Sequence, residues 1–219
     1  MVEFPRASSK VARRITVLCV DDHRIVREGI ALMIDRQRDM EVVASAGTLE
    51  EAVTLFQTVR PDVTIMDLQL GAASGVDAIL AIRRHDPAAR VVVLTMFHGD
   101  EDIHRALKAG AATYLLKDSA FEDLVRVVRD VHAGRQPTMS PDVRARLAER
   151  VGRPTLTQRE IEVLELVRRG LRNREVAAAL TITEETVQSH IKNILTKLDV
   201  QDRTAAIDVA LRRGIIHNG

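Results

Sequence analysis

The sequence predicts a five-stranded, parallel, doubly wound α/β domain joined to a small all-α domain of four helices. Short apolar, β-branched runs alternate with amphipathic stretches five times between Ile15 and His132, as expected of strands buried on both faces with helices crossing between them. After Gly134 no strand-like run occurs. Charge divides at the same place. Residues 15–133 hold 13 Lys and Arg against 19 Asp and Glu, whereas residues 134–219 hold 15 against 11. Such asymmetry points to different partners for the two halves, although the mild basicity of the second does not by itself indicate nucleic acid.

The elements follow in order. Residues 1–14 read as a flexible tail. Ile15–Val20 is a continuous apolar strand, and Arg24–Asp35 an amphipathic helix with Ile25, Ile30 and Ile34 among its apolar positions. Glu41–Ala46 is a second strand. Thr48-Leu-Glu-Glu51 has the form of a capping box, in which the hydroxyl and the carboxylate satisfy free N–H groups at a helix start. Asp62–Met66, Arg90–Thr95 and Ala112–Leu116 are the remaining strands, with helices near Ser74–His85 and Asp100–Ala109. A second box, Ser119-Ala-Phe-Glu122, opens a helix to about His132. Gly134-Arg-Gln-Pro137 then breaks the chain. Residues 134–154 form a linker containing a helix, Pro141–Arg150, and residues 155–219 form the second domain. Its helices begin at a third box, Thr157-Gln-Arg-Glu160, and continue as Asn173–Leu180, Thr183–Leu198 and Asp202–Arg213.

Aromatic residues make up only 2% of the chain, so the cores must be built from Val, Leu, Ile and Ala. The single cysteine, Cys19, lies in an apolar strand and reads as a small buried hydrophobe. No apolar run is long enough to span a membrane, and the N-terminus lacks the apolar core of a secretory signal, so a cytoplasmic location is expected.

In an open parallel sheet, functional groups collect beyond the carboxyl ends of the strands. Here Asp21 and Asp22 end the first strand, Asp67 the third, Thr95 the fourth and Lys117 the fifth. One Asp after a strand is usually a turn residue or a helix cap, and one Lys a solvated charge. Complementary groups at four strand ends ask for a common purpose. Clustered carboxylates suit Mg2+, a hard ion that takes oxygen ligands. A carboxylate can also attack phosphorus to give an aspartyl phosphate, with Thr95 and Lys117 placed to bond phosphoryl oxygens.

Asp21-Asp22, Asp67, Thr95 and Lys117 resemble the signature of the receiver domains of two-component response regulators, and Tyr114-Leu-Leu-Lys117-Asp resembles the NarL/FixJ subfamily. The resemblance spans residues 15–133 and implies a flavodoxin-like receiver. It implies that Asp67 accepts a phosphoryl group from a histidine kinase. Mg2+ would be held by Asp22, Asp67 and the backbone carbonyl of Gln69, with Asp21 acting mainly through water. Thr95 and Tyr114 would be the switch pair, and Lys117 would contact the phosphoryl group. Two departures stand out. Gly71 takes the place where the family commonly has proline, so a looser loop is expected, and the bulky Met96 follows Thr95 where many receivers have a small residue.

In Thr183–Leu198, helical period puts Val187, Ile191, Ile194 and Leu198 on one face. Glu185, Ser189, Lys192 and Thr196 fall opposite, with Gln188 and Asn193 on the flanks. Short polar side chains of this kind can read base edges in a major groove. Arg172, Arg174, Lys197 and Arg203, near helix ends, suit phosphates. Periodicity alone does not separate a helix-turn-helix from another small helical bundle. However, Leu156-Thr-Gln-Arg-Glu-Ile-Glu-Val-Leu164, Gly170-Leu-Arg-Asn-Arg-Glu-Val-Ala177, Thr186-Val-Gln-Ser-His-Ile191 and Lys197-Leu198 resemble the LuxR-type helix-turn-helix. That resemblance makes Asn173–Leu180 the supporting helix and Thr183–Leu198 the recognition helix. It puts Gln188, Ser189 and Lys192 towards bases, with Asn193, Lys197, Arg172 and Arg174 among the further DNA contacts. It implies promoter DNA with paired half-sites, a homodimer when active, helix Asp202–Arg213 as the dimer surface, and RNA polymerase as a further partner.

The expected function is therefore a transcriptional response regulator switched at Asp67, with the unphosphorylated receiver masking the DNA-binding surface. Two alternatives stand beside it: a phosphorylation-independent DNA binder with a degenerate receiver, and a Mg2+-dependent phosphohydrolase. Gln69 argues against the latter, because haloacid-dehalogenase-type enzymes carry a second Asp at that position.

Overall fold

A computed structural model of the chain describes residues 13–71, 73–118 and 121–217. Most of the predicted tail, and Ser119 and Ala120 of the second capping box, lie outside these. The first domain runs β1 (Ile15–Val20), α1 (Arg24–Asp35), β2 (Met40–Ala46), α2 (Leu49–Val59) and β3 (Val63–Met66). It continues through two short strands, β4 (Gln69–Leu70) and β5 (Ala73–Ser74), to α3 (Gly75–His85), β6 (Val91–Thr95), α4 (Asp100–Lys108), β7 (Thr113–Leu116) and α5 (Phe121–His132). The main sheet has the order β2-β1-β3-β6-β7, and every pairing in it is parallel. Strand order reverses direction at β1, which opens a crevice at the carboxyl ends of β1 and β3.

Local chemistry accounts for these boundaries. Thr48 caps α2 by accepting from the Glu51 N–H at 3.2 Å, while the Glu51 carboxylate reaches the Gly47 N–H at 2.8 Å, one residue earlier than a full capping box requires. The antiparallel β4–β5 hairpin is an element that the strand-helix alternation does not foresee. It is too short to show a period, and it turns at Gly71 with φ of +63°, a conformation open to glycine without a Cβ penalty.

Two apolar clusters cover the two faces of the main sheet. One joins Leu18, Met66 and Val93 to Phe56, Ile79, Ile82 and Ile103 of α2, α3 and α4. The other joins Val17, Ile65 and Val92 to Ile30, Ile34, Val127 and Val128 of α1 and α5. Cys19 belongs to the second cluster, and burial, helped by the nearby Asp21 charge, pushes its thiol up to about 12. It is an inert core residue.

The C-terminal half holds α6 (Pro141–Arg150), α7 (Gln158–Arg168), α8 (Asn173–Leu180), α9 (Glu184–Leu198) and α10 (Arg203–Arg212). The linker helix α6 does not stand apart. Its Val143 is fully buried in the α/β core, and Met139 and Leu147 pack beside it. The last four helices enclose a separate core that includes Val163, Val176, Val187, Ile194, Leu198 and Ala210. Thr157 and Glu160 form the complete capping box at the start of α7. Thr181, at φ of +54°, makes the turn between α8 and α9.

Candidate functional site

The strand ends bring the predicted residues together. Asp21 and Asp67 are 1% and 4% exposed, far below what lone carboxylates tolerate. Their partner is Lys117 at the end of β7, whose Nζ lies 2.5 Å from Asp21 Oδ2 and 2.6 Å from Asp67 Oδ2. Burial works against the Lys117 ammonium, but the bonds to both carboxylates outweigh it and raise its pKa. Asp67 Oδ1 accepts from the Leu68 N–H at 2.7 Å and Asp21 Oδ1 from the His23 N–H at 2.8 Å. Arg27 also bonds the Asp21 carbonyl. A cavity of about 400 Å³ opens onto Asp67, Gln69, Thr95 and Lys117, and Met96, 60% exposed, stands at its rim.

The acidic set fits a hard divalent cation. Ligand atoms of Asp21, Asp22, His23 and Asp67 lie within 4.8 Å of one another. Asp22 Oδ1 is buried without a hydrogen bond, although His23 Nδ1 stands 2.6 Å away. A buried carboxylate oxygen whose only close neighbour is an imidazole nitrogen is a costly arrangement and suits a metal. His23 is a member of the cluster that strand-end reasoning passes over, because it follows the strand by three residues.

Gly71 departs from the family pattern with a structural result. Its N–H donates to Asp22 Oδ2 at 3.1 Å. A proline there has no N–H and cannot take φ of +63°. The loop is tied to the acidic cluster rather than loosened, which corrects the expectation from sequence. Gly75 is needed for space: a Cβ there would strike the Asp67 carbonyl.

Thr95 and Tyr114 do not bond each other. Both hold Phe97. Thr95 Oγ1 accepts from the Phe97 N–H at 3.4 Å, and Tyr114 Oη donates to the Phe97 carbonyl at 2.9 Å. Burial, followed by the Asp102 and Asp67 charges, raises the Tyr114 pKa and keeps its hydroxyl a donor. No sequence pattern singles out Phe97.

On α9, Val187, Ile194 and Leu198 are buried, and Gln188, Ser189, Lys192 and Asn193 are exposed. Arg172 and Arg174 are exposed at the start of α8. Lys197 differs. Its Nζ lies 2.9 and 2.7 Å from the two carboxylate oxygens of Glu160 on α7. Burial disfavours the Glu160 carboxylate, but Lys197 and the Thr157 N–H outweigh it and hold its pKa down. Lys197, an expected DNA contact, is thus also tied within the helical domain, to α7. The polar residues Gln188, Ser189, Lys192 and Asn193 of α9 are exposed in this structure. The start of α4 contacts the end of α10 and the residue His217 after it, through Asp100, the Glu101 N–H and Asp102, and the end of α6 and Arg153 after it, through Glu101 and Asp100.

Comparisons agree with both halves. Residues 17–129 match the response regulator receiver domain, and residues 154–210 match the bacterial regulatory proteins of the luxR family. The response regulator protein VraR of Staphylococcus epidermidis is 38% identical over 92% of this chain and 99% of its own length. VraR of Staphylococcus aureus shows the same identity and coverage. Among solved structures, the response regulator ChrA of a heme-sensing two-component system is 36% identical, with TM-score 0.55 over 93% of this chain and 99% of its own. A complex of two RcsB dimers with two parallel DNAs is 25% identical, with TM-score 0.64 over 91% of this chain and 99% of its own.

Proposed function

Because the chain belongs to the two-component response regulators that join a receiver domain to a LuxR-type DNA-binding domain, we propose that phosphorylation of Asp67 by a histidine kinase controls its dimerisation and its sequence-specific binding to promoter DNA. The family is one of transcription regulators and not of conventional enzymes. The observation that carries the proposal is the Lys117 ammonium spanning Asp21 and Asp67 in a buried pocket at the strand ends.

A carboxylate oxygen of Asp67 attacks the phosphorus of a phosphohistidine. The new O–P bond forms as the P–N bond breaks, and the electron pair returns to the imidazole nitrogen. Lys117 pairs with the transferred group, and Thr95 turns its hydroxyl to donate to a phosphoryl oxygen. Mg2+, held by Asp22, Asp67 and the Gln69 carbonyl with Asp21 acting mainly through water, would offset the charge of the incoming group. Residues 15–133 act as the receiver, 134–154 as the linker and 155–219 as the DNA-binding domain. Gln188, Ser189 and Lys192 face bases with Asn193 beside them, while Arg172, Arg174 and Lys197 serve phosphates. The RcsB complex holds dimers on DNA, which supports two half-sites and a homodimer here. The protein acts in the cytoplasm, where kinase, promoter and RNA polymerase meet.

The test measures binding to a promoter fragment from its own operon, with and without phosphoramidate. Phosphorylation should tighten binding by Asp67, and Asp67→Asn should remove the response, for which about tenfold is a typical allosteric effect. Equal affinity in all four arms overturns the proposal.

A further inference from the structure

The first turn of α4 carries three consecutive acids, Asp100, Glu101 and Asp102, and none is more than 7% exposed. Acids at a helix N-terminus complement its dipole and are ordinarily solvated. Here they are covered from two sides, by the end of α6 with Arg153 and by the C-terminal segment after α10. Arg153 Nη1 lies 3.2 Å and Arg213 Nε 3.5 Å from the Asp100 carboxylate, Arg150 Nε lies 2.6 Å from Glu101, and His217 Nε2 lies 3.0 Å from Asp102. The Glu101 N–H donates to the Arg213 carbonyl at 2.9 Å. The fit is close on both sides. A Cβ on Gly99 would strike the Arg213 backbone, and one on Gly214 would strike the Asp102 carboxylate.

Phe97 connects this clasp to the phosphorylation pocket. Its N–H and carbonyl are bonded by Thr95 and Tyr114 respectively. Its ring packs on the His217 imidazole with centroids 4.4 Å apart and planes at 46°. One residue therefore touches both members of the switch pair through its backbone and the C-terminal segment through its side chain.

Resting on the reading that Asp67 is phosphorylated, we propose that Phe97 is the coupling residue through which Thr95 releases the C-terminal segment from α4. Once Thr95 turns its hydroxyl towards a phosphoryl oxygen, the Phe97 N–H loses its acceptor. Residues 97–99 then shift, the ring leaves His217, and the bond from Glu101 to Arg213 opens. Phe97 is a positioning residue and takes no part in phosphoryl transfer. The clasp holds the end of α10 while the reading face of α9 stays open, so release frees the α10 surface.

The Glu101 amide is a direct reporter. As the second residue of α4 it has no partner within the helix, so its protection from hydrogen exchange depends on the Arg213 carbonyl. In the full chain, phosphoramidate should speed exchange at Glu101, with phosphorylation followed separately by a gel-mobility shift. In Phe97→Ala, phosphorylation should proceed as in the unaltered protein. The unphosphorylated protein should already exchange faster at Glu101, by about threefold to tenfold for the loss of a ring–ring contact, and phosphorylation should add little. His217→Ala should do the same, and combining the two should give no further increase. Normal phosphorylation with an undiminished exchange response in Phe97→Ala overturns the coupling alone. No phosphorylation of the unaltered protein overturns the underlying reading with it. Global unfolding of Phe97→Ala would speed every amide and not Glu101 selectively, and His217→Ala then decides the matter by the same criterion.

Discussion

At the strand ends, Asp21, Asp67 and Thr95 are buried, and Lys117 already binds both carboxylates. On α9, Gln188, Ser189, Lys192 and Asn193 stand exposed on a helix whose other face fills a core. The first region works by preorganised charge, so its residues are tied to one another and to the stability of the fold. On the proposed reading, the second works by complementarity to an outside surface, so its residues are free of the fold and their loss should cost binding alone. Substitutions should separate the two regions by which measurement moves.

The largest effect is expected at Lys117. Lys117→Ala leaves two buried carboxylates facing each other without a counter-charge, and breaking a buried pair in this way costs about 3 kcal/mol. Urea denaturation without divalent ions should show that loss, and millimolar Mg2+ should restore more of it than it adds to the unaltered protein. Phosphorylation should slow about a hundredfold, the scale seen when one preorganised charge donor is removed. A variant as stable as the parent without Mg2+, and no better with it, would erase the distinction between the regions.

Next is Glu160, which tests the residue that crosses the divide. Lys197 belongs to the recognition helix by position, yet it serves the fold through Glu160. Because the Glu160 pKa is held below the ordinary 4.5, its contribution is present above that value and is lost as pH falls through the depressed one. Glu160→Gln should cost about 2 kcal/mol near neutral pH, as for hydrogen bonds to a charged group. The gap between variant and parent should close as pH is lowered from about 5. Thermal melts across that range provide the check. A constant gap would show that the charge of Glu160 adds nothing to the fold through Lys197.

Lys192→Ala should do the reverse of Lys117→Ala. Affinity for promoter DNA should fall about tenfold, within the range for one base-edge contact, while melting temperature and phosphorylation stay unchanged. Fluorescence anisotropy at fixed salt measures the first. Unaltered affinity would show that this face does not read bases.

These contrasts also explain what was legible. Strand ends are visible in sequence because a buried parallel strand is a continuous apolar run, and the polar residue that stops it is the one at the crevice. Asp21, Asp67, Thr95 and Lys117 were all found that way. On α9, period gave the buried face, but exposed polar residues carry no internal pattern, so their role came from resemblance. The partners of Lys197, the clasp at α4 and the docking of α6 through Val143 are contacts between distant segments. Nothing local announces them: Asp100-Glu-Asp102 reads as an ordinary acidic helix start.

The smallest effect is expected at Gly71, where the pocket meets a surface loop. Its N–H bonds Asp22 and its φ is +63°, and two substitutions separate these contributions. Gly71→Ala keeps the N–H and meets open space, since no atom lies within 4 Å of a Cβ there, so it should cost only the left-handed conformation, about 1 kcal/mol. Gly71→Pro removes the donor and, because proline cannot take φ of +63°, also forces the turn into another conformation, so Asp22 is freed to move and the melt should fall further than for alanine. Both should melt lower, but only the proline variant should bind Mg2+ more weakly, as read by titration calorimetry. If both bind Mg2+ as the parent does, Asp22 needs no support from the loop, and the hairpin matters for conformation alone. If alanine weakens binding as much as proline, the turn itself carries the effect. The residue where family proline is replaced would then position Asp22 through backbone shape and not through its hydrogen bond.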